Sequence, residues 1–121
     1  MKKIALYLVH PSYKKESRIN KALINAVKDL ENISIINLYE EYNDFKIDTK
    51  KEQERLLDSD IVVLQFPFFW FSTPSLLKEW FDVVLTPDFA FEEKYLLENK
   101  ELLVTTTAGG AEDTYKDEHM N

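Results

Sequence analysis

With 121 residues, of which 45% are hydrophobic, the chain is long enough for one domain with a buried core and too short for two. It contains no cysteine, which excludes disulfides, thiolate metal sites and a catalytic thiol. The net charge of -7, with no basic stretch among the aromatic residues, argues against nucleic acid as a partner, and no apolar run reaches the roughly 20 residues of a membrane span. We therefore expect one soluble, cytoplasmic domain over residues 1–121.

The first part of the chain is predicted to form a strand, a helix and a second strand. Residues 4–9 form a continuous apolar run, which is typical of a strand buried on both faces. After a polar loop at residues 10–16, a helix is predicted with Ser17 as its N-cap. Residues 33–37 predict a short second strand. The apolar face of the helix is expected to consist of Ile19, Ala22, Leu23, Ala26, Val27 and Leu30.

The middle of the chain predicts a helix followed by a third strand. Thr49 and Glu52 have the spacing of a capping box, which would open a helix that runs to about Leu57. Residues 60–66 then form another apolar run and predict a buried strand.

The last predicted helix and strand follow an aromatic turn. Thr73 as N-cap and Pro74 at the first helical position indicate a helix start. The loop at residues 87–99 has room for one helical turn, and residues 101–106 predict a fourth strand. The apolar residues of the helix are Leu76, Leu77, Trp80, Phe81, Val84 and Leu85.

This alternation predicts an α/β fold, a doubly wound parallel sheet of four strands with helices on both faces. Such sheets bind ligands at the carboxyl ends of their strands. The loops at residues 10–16, 67–72 and 107–115 would meet at that edge, and they hold the unusual residues of the chain.

Two of these loops allow more than one interpretation. Ser17, Arg18 and Asn20 lie at a helix start, where free N–H groups favour phosphate, but Ser17 could equally be a simple cap beside a solvated arginine. Residues 67–71 offer ring faces to a planar heterocycle, although a hydrophobic corner or a dimer contact would use the same residues.

The third loop contains the chain's two glycines, Gly109 and Gly110, which allow a close approach of backbone to ligand. An ordinary strand-end turn would explain them as well. Tyr115 follows five residues later and could donate a hydrogen bond to a substrate oxygen, or simply pack. The carboxylates Asp48, Glu52, Asp58 and Asp60 suggest no metal site and are expected to be helix caps or solvated.

Three motifs taken in order resemble the flavodoxin-like NAD(P)H:quinone oxidoreductases, which include modulator-of-drug-activity enzymes and ancillary oxidoreductases of potassium-efflux systems. The first is His10-Pro followed by Ser17-Arg-Ile-Asn20-Lys-Ala-Leu23. The second is Gln65-Phe-Pro-Phe-Phe-Trp70-Phe-Ser-Thr-Pro74-Ser-Leu-Leu-Lys-Glu-Trp80-Phe-Asp82, and the third is Thr107-Ala-Gly-Gly110.

The resemblance implies a flavin, FMN or FAD, which takes hydride from NAD(P)H and passes two electrons to a quinone by a ping-pong route. It implies a homodimer whose second subunit completes the flavin site. The cofactor-binding residues it implies are His10, Ser17, Arg18, Ile19, Asn20, Pro67, Phe68, Phe69, Trp70, Phe71, Thr107, Ala108, Gly109 and Gly110. It assigns catalytic roles to Tyr115 and, as an approximate match, to His119.

Two departures from the family pattern lead to alternative functions. Ala108 replaces the second threonine of the usual Thr-Thr-Gly-Gly, and relatives continue with a fifth strand and a last helix, so we expect a C-terminally shortened member. The fourth strand would then be an uncovered edge. The alternatives are a non-catalytic binding or regulatory subunit with a protein partner, and an inactive, truncated family member.

Overall fold

The computed structural model describes residues 1–11, 18–68, 72–90 and 96–107, and of residues 18, 19 and 88 it describes the backbone only. Four parallel strands form one sheet in the order β2-β1-β3-β4. In chain order the elements are β1 (Ile4–Leu8), α1 (Arg18–Val27), β2 (Ile33–Asn37), α2 (Leu38–Glu41), α3 (Thr49–Leu57), β3 (Ile61–Pro67), α4 (Ser75–Val84), α5 (Pro87–Ala90) and β4 (Glu101–Thr107). The predicted parallel α/β sheet is confirmed.

Two predicted helix starts are wrong in detail. The N-cap of α3 is Asp48, whose side chain accepts a hydrogen bond from the Lys51 N–H, while the Thr49 hydroxyl donates instead to the carbonyl of Val83. The N-cap of α4 is Pro74 rather than Thr73, and no side chain caps that end. The Ser17 cap of α1 lies outside the described residues.

The predicted apolar face of the first helix is right at Val27, which packs on the core, and wrong at the exposed Ala22, Leu23, Ala26 and Leu30, while the side chain of Ile19 lies outside the description. Leu23 and Leu30 are exposed, whereas Asn20 and Ile24 are buried and Val27 is half-buried. Positions 20, 24 and 27 are spaced four and three apart, so they share one face of the helix. The polar Asn20 lies on this face because its side chain makes hydrogen bonds with residues at the end of the sheet. The buried face of the helix therefore differs from the one that its apolar residues alone predict.

The two faces of the sheet have different cores. Leu6 and Leu8 of β1 pack with Ile24 beneath α1. The other face carries the larger cluster, in which Tyr7 and Trp80 pack with ring centroids 5.0 Å apart. This larger core attaches α2, α3 and α4 to the sheet.

Glu52 lies inside that larger core and is fully buried, which corrects the expectation that it caps a helix or is solvated. Its carboxylate accepts hydrogen bonds from the Tyr42 hydroxyl (2.6 Å), the Trp80 indole N–H (3.1 Å) and Arg55 Nη1 (2.6 Å). Arg55 also forms a bidentate pair with Glu41. The buried charge is thus neutralised and its oxygens are satisfied, as a carboxylate in a core requires.

The Tyr7 hydroxyl lies in the same core and has no hydrogen-bond partner among the described residues. Burial raises the pKa of Tyr7, and so do the negative charge of the nearby Glu52 and a contact with that carboxylate which falls outside hydrogen-bond geometry. Because the hydroxyl is buried unpaired, Tyr7→Phe is expected to raise the free energy of unfolding by about 1 kcal/mol. Urea unfolding measures the change.

Tyr42→Phe is the matched control, since it removes a hydroxyl that does have a partner. A hydrogen bond to a charged group contributes about 1.5–3 kcal/mol, so this variant should be destabilised. If Tyr7→Phe and Tyr42→Phe lowered the free energy of unfolding equally, the Tyr7 hydroxyl would have a hydrogen-bond partner in solution.

The Glu41–Arg55 pair predicts a specific acid dependence of stability. Hydrogen bonding to Arg55 lowers the pKa of Glu41 from its usual value of 4.5. A carboxyl whose folded pKa is depressed stabilises the fold above its unfolded pKa, and this contribution disappears as the pH falls through the folded pKa. Glu41→Gln should therefore be less stable than the parent at neutral pH, and this difference in stability should shrink as the pH falls from the usual pKa of 4.5 through the lower folded pKa. Urea unfolding between pH 7 and pH 2.5 tests this, with the exposed Glu54→Gln as control.

β4 is exposed to a degree unusual for a strand in a sheet of this kind. Leu102, Leu103 and Val104 are 63%, 53% and 54% exposed, although they point alternately to the two faces. Among the described residues, few side chains pack on this strand, and the expectation that it is an uncovered edge stays a prediction.

The described part of the chain contains no helix that has both the length and the apolarity to cross a membrane. It also contains no cluster of three or more histidine or acidic side chains arranged to hold a metal ion.

Candidate flavin site at the carboxyl edge of the sheet

The carboxyl ends of three neighbouring strands carry the candidate site. His10 follows β1, Phe68 follows β3, and Thr107 is the last residue of β4. The backbone joins these ends directly: the Val9 N–H donates to the carbonyl of Gln65 (2.8 Å), and the Phe68 N–H donates to the carbonyl of Thr107 (2.7 Å). The described ends of all three predicted loops therefore meet at one edge.

Asn20 joins the same edge to the first turn of α1. Its Nδ2 donates to Thr107 Oγ1 (3.2 Å), and its Oδ1 accepts from Gln65 Nε2 (3.1 Å). Gln65 Nε2 also donates to the backbone oxygen of Asn20 (3.3 Å). Asn20 and Gln65 are only 2% and 3% exposed, so these bonds are shielded from competing water. One amide thus holds the helix start at a defined position against β3 and β4.

The predicted site residues divide into three groups. His10, Asn20, Pro67, Phe68 and Thr107 are described and lie together at this edge. For Arg18 and Ile19 only the backbone is described, at the start of α1. The remaining candidates lie outside the described residues: Ser17, Phe69, Trp70, Phe71, Ala108, Gly109, Gly110, Tyr115 and His119.

Gln65 was absent from the predicted site residues, although its amide is central to the hydrogen bonding of this edge. The sequence does contain a signal for it. It is the one polar side chain in the strand Ile61–Pro67, and a polar residue in a buried strand usually has a specific hydrogen-bond partner.

The chemistry of these residues fits a flavin in kind. Asn20, Gln65, Thr107 and His10 supply amide, hydroxyl and imidazole groups, which suit the polar edge and hydroxyls of such a ligand. Phe68 adds an aromatic ring next to them. α1 begins at Arg18 on the same side, and a helix start favours an anionic phosphate.

Comparison with known proteins gives consistent results. Residues 2–121 match the family model described as the flavodoxin-like fold. The chain is 40% identical over 115 residues to the uncharacterised NAD(P)H oxidoreductase YrkL of Bacillus subtilis, covering 94% of this chain and 66% of that protein.

Two solved structures are similar in both sequence and fold. General stress protein 14 of Treponema denticola, in complex with FMN, aligns with a TM-score of 0.86 and 31% identity, over 93% of this chain and 66% of that one. NADPH-quinone reductase from P. pentosaceus aligns with a TM-score of 0.81 and 30% identity, over 90% of this chain and 61% of that one.

The chain thus spans slightly under two thirds of the length of these proteins. The resemblance seen in the three sequence motifs is confirmed at the level of the family. On its four-stranded parallel sheet and on the match over residues 2–121, the chain belongs to the family of proteins with the flavodoxin-like fold.

Proposed function

We propose that the chain is a flavin-dependent NAD(P)H:quinone oxidoreductase that acts in the cytoplasm as a homodimer. The observation that carries the proposal is the junction at Asn20, which holds the ends of β3 and β4 against the first turn of α1. The relatives support it through their names, since one is an NAD(P)H oxidoreductase, one a quinone reductase and one an FMN complex.

Each part of the edge has a proposed task in binding. His10 and the helix start at residues 17–20 hold the flavin phosphate, through backbone N–H groups and the positive end of the helix dipole. The aromatic turn at residues 67–71 contacts the ring system, and residues 107–110 approach it from β4.

When bound, FMN or FAD supplies the redox chemistry, accepting hydride from NAD(P)H and delivering two electrons to a quinone. The protein contributes position and polarity. In this proposal Tyr115 donates a hydrogen bond to the oxygen of the reduced acceptor, and His119, an approximate match to a histidine of the family, is the second catalytic candidate.

A non-catalytic binding or regulatory subunit is the second candidate. The exposed Leu102, Leu103 and Val104 favour it, because apolar side chains at a sheet edge are suited to a protein contact. Such a subunit would keep the fold and bind a partner without oxidising NAD(P)H.

An absorbance experiment tests both candidates. The purified protein is incubated with excess FMN or FAD and desalted, and NADPH or NADH is then added without oxygen. An oxidoreductase retains stoichiometric flavin that bleaches and recovers its colour when a quinone is added. Heat-denatured protein carried through the same column controls for trapped flavin.

Retained flavin that does not bleach would favour the binding or regulatory role. Colourless protein after incubation with both flavins would contradict the proposed function.

A further inference from the structure

We propose that Gln65 acts through Asn20 to fix the hydroxyl of Thr107 as a hydrogen-bond donor toward the flavin. This end of the site then binds an acceptor atom of the ligand, such as a carbonyl oxygen or an unprotonated ring nitrogen, and disfavours a donor. The inference rests on the proposed flavin site and adds the direction of one hydrogen bond within it. Its basis is a chain of three side chains whose orientations depend on one another.

The chain of hydrogen bonds starts at a backbone carbonyl, which can only accept. The carbonyl oxygen of Asn20 lies 3.3 Å from the side-chain amide of Gln65, so this amide must turn its NH2 group, Nε2, toward it. Gln65 is buried, which leaves its side chain little opportunity to bond to water instead. The backbone of α1 thus fixes which end of the Gln65 amide faces the helix.

The orientation of Gln65 fixes that of Asn20. The same Nε2 donates to a side-chain atom of Asn20 at 3.1 Å, and because an amide nitrogen cannot accept, this atom is Oδ1. The other end of the Asn20 amide, Nδ2, therefore faces Thr107 Oγ1 at 3.2 Å. Asn20 is buried as well, so both ends of its amide are held within the protein.

Asn20 in turn fixes the direction of the Thr107 hydroxyl. Because Nδ2 can only donate, Thr107 Oγ1 accepts this bond and its own proton points away from Asn20. Thr107 is half-buried and is the last residue of β4, at the edge of the sheet where the ligand is expected. The hydroxyl proton is therefore directed to a partner other than Asn20, and the hydrogen-bond chain keeps it so.

The ring system of an oxidised flavin suits such a donor. Its polar edge carries carbonyl oxygens and ring nitrogens that accept hydrogen bonds. A donor that already has the correct orientation loses little freedom when the ligand binds, so more of its contribution appears in the affinity. Gln65 and Asn20 are thus positioning residues, and Thr107 is the residue that contacts the ligand.

Titration of matched threonine variants with FMN tests the donor. Quenching of flavin fluorescence gives the dissociation constant for the 121-residue chain. Thr107→Val keeps the side-chain volume and removes the donor, so the dissociation constant should rise about fivefold, which corresponds to about 1 kcal/mol. Thr107→Ser keeps the hydroxyl and should stay within about twofold of the parent. Thr105→Val, on the same face of β4 but away from its end, is the control and should leave the affinity unchanged.

A double-mutant cycle tests the part played by Gln65. Gln65→Leu leaves the Asn20 amide free to take either orientation, so it should also weaken FMN binding, by about two- to fivefold. In the Thr107→Val background the same change should alter the affinity by less than about twofold, because no hydroxyl is left to orient. A residue with a merely structural role would cause the same loss in both backgrounds.

Asn20→Asp keeps the test decisive if Gln65→Leu fails to fold. The carboxylate still accepts from Gln65 but also accepts the Thr107 proton, which removes the donor from the ligand. Adding Thr107→Val to Asn20→Asp should therefore cause no further loss of affinity.

The inference would be overturned by equal affinity of Thr107→Val and the parent, by equal losses in Thr107→Val and Thr107→Ser, or by additive losses in the double-mutant cycles. Each of these results requires a parent chain that binds flavin. If the parent binds neither FMN nor FAD, the proposed function itself fails, and the inference fails with it.

Discussion

Glu52→Ala is expected to lower the free energy of unfolding by about 3–5 kcal/mol, the cost typical of removing one partner from a buried ion pair. The substitution leaves the Tyr42 hydroxyl, the Trp80 N–H and part of the Arg55 guanidinium without an acceptor in the core. It also removes side-chain volume from a site with no exposure. Domains are stable by about 5–15 kcal/mol, so this single change should remove much of the total.

Urea unfolding followed by circular dichroism measures the effect. Glu54→Ala is the control, because Glu54 lies on the same helix but is exposed. The loss of unfolding free energy in Glu52→Gln should lie between the losses in Glu52→Ala and Glu54→Ala. The amide oxygen of glutamine still accepts one hydrogen bond, whereas its NH2 group faces other donors. A loss below about 1 kcal/mol for Glu52→Ala would mean that water or a rearranged side chain satisfies these donors.

Asn20→Ala is expected to weaken FMN binding by about 10–100-fold, which corresponds to about 1.4–2.8 kcal/mol. The variant removes the side chain that holds Thr107 and Gln65 at the carboxyl edge, so the ends of β3 and β4 lose their link to the first turn of α1. Asn20 acts here as a positioning residue. Asn20→Asp keeps the acceptor for Gln65 and loses only the donor to Thr107, so it should retain more affinity.

Quenching of flavin fluorescence during titration measures this affinity. Asn32→Ala is the matched control, because the Asn32 side chain binds the backbone of Lys2 near the amino end of β1, away from the site. Equal affinity of Asn20→Ala and the parent would contradict the positioning role. If the parent itself binds no flavin, the failure lies in the proposed function and not in the role of Asn20.

The strands were predictable because their signal is local. β1 is a continuous apolar run and β3 is an apolar run interrupted only by Gln65, and burial on both faces of a parallel sheet favours such runs. β4 was recognised by the same pattern even though it is exposed, since propensity does not depend on whether a neighbour covers the strand. The short helix α2 was missed, because four residues carry no helical period.

The polar interior was not predictable in this way. Glu52 has the spacing of a capping residue, and its burial depends on Tyr42, Arg55 and Trp80, which come from three different parts of the chain. Asn20 presents the same difficulty, because its partners at positions 65 and 107 are distant in sequence. The motifs located the candidate site, but which polar side chains are held together depends on contacts that only the folded chain brings about.

The position of β1 in the sheet has a consequence for the folding of the chain as it is synthesised. β1 leaves the ribosome first, yet it lies between β2 and β3, and Ile4 pairs with both Ile33 and Ile61. Translation at roughly 5–20 residues per second means that its second neighbour is completed several seconds later. During that interval an apolar segment destined for the centre of the sheet lacks the strand on one of its two sides, so the nascent chain should be a substrate for chaperones until β3 has emerged.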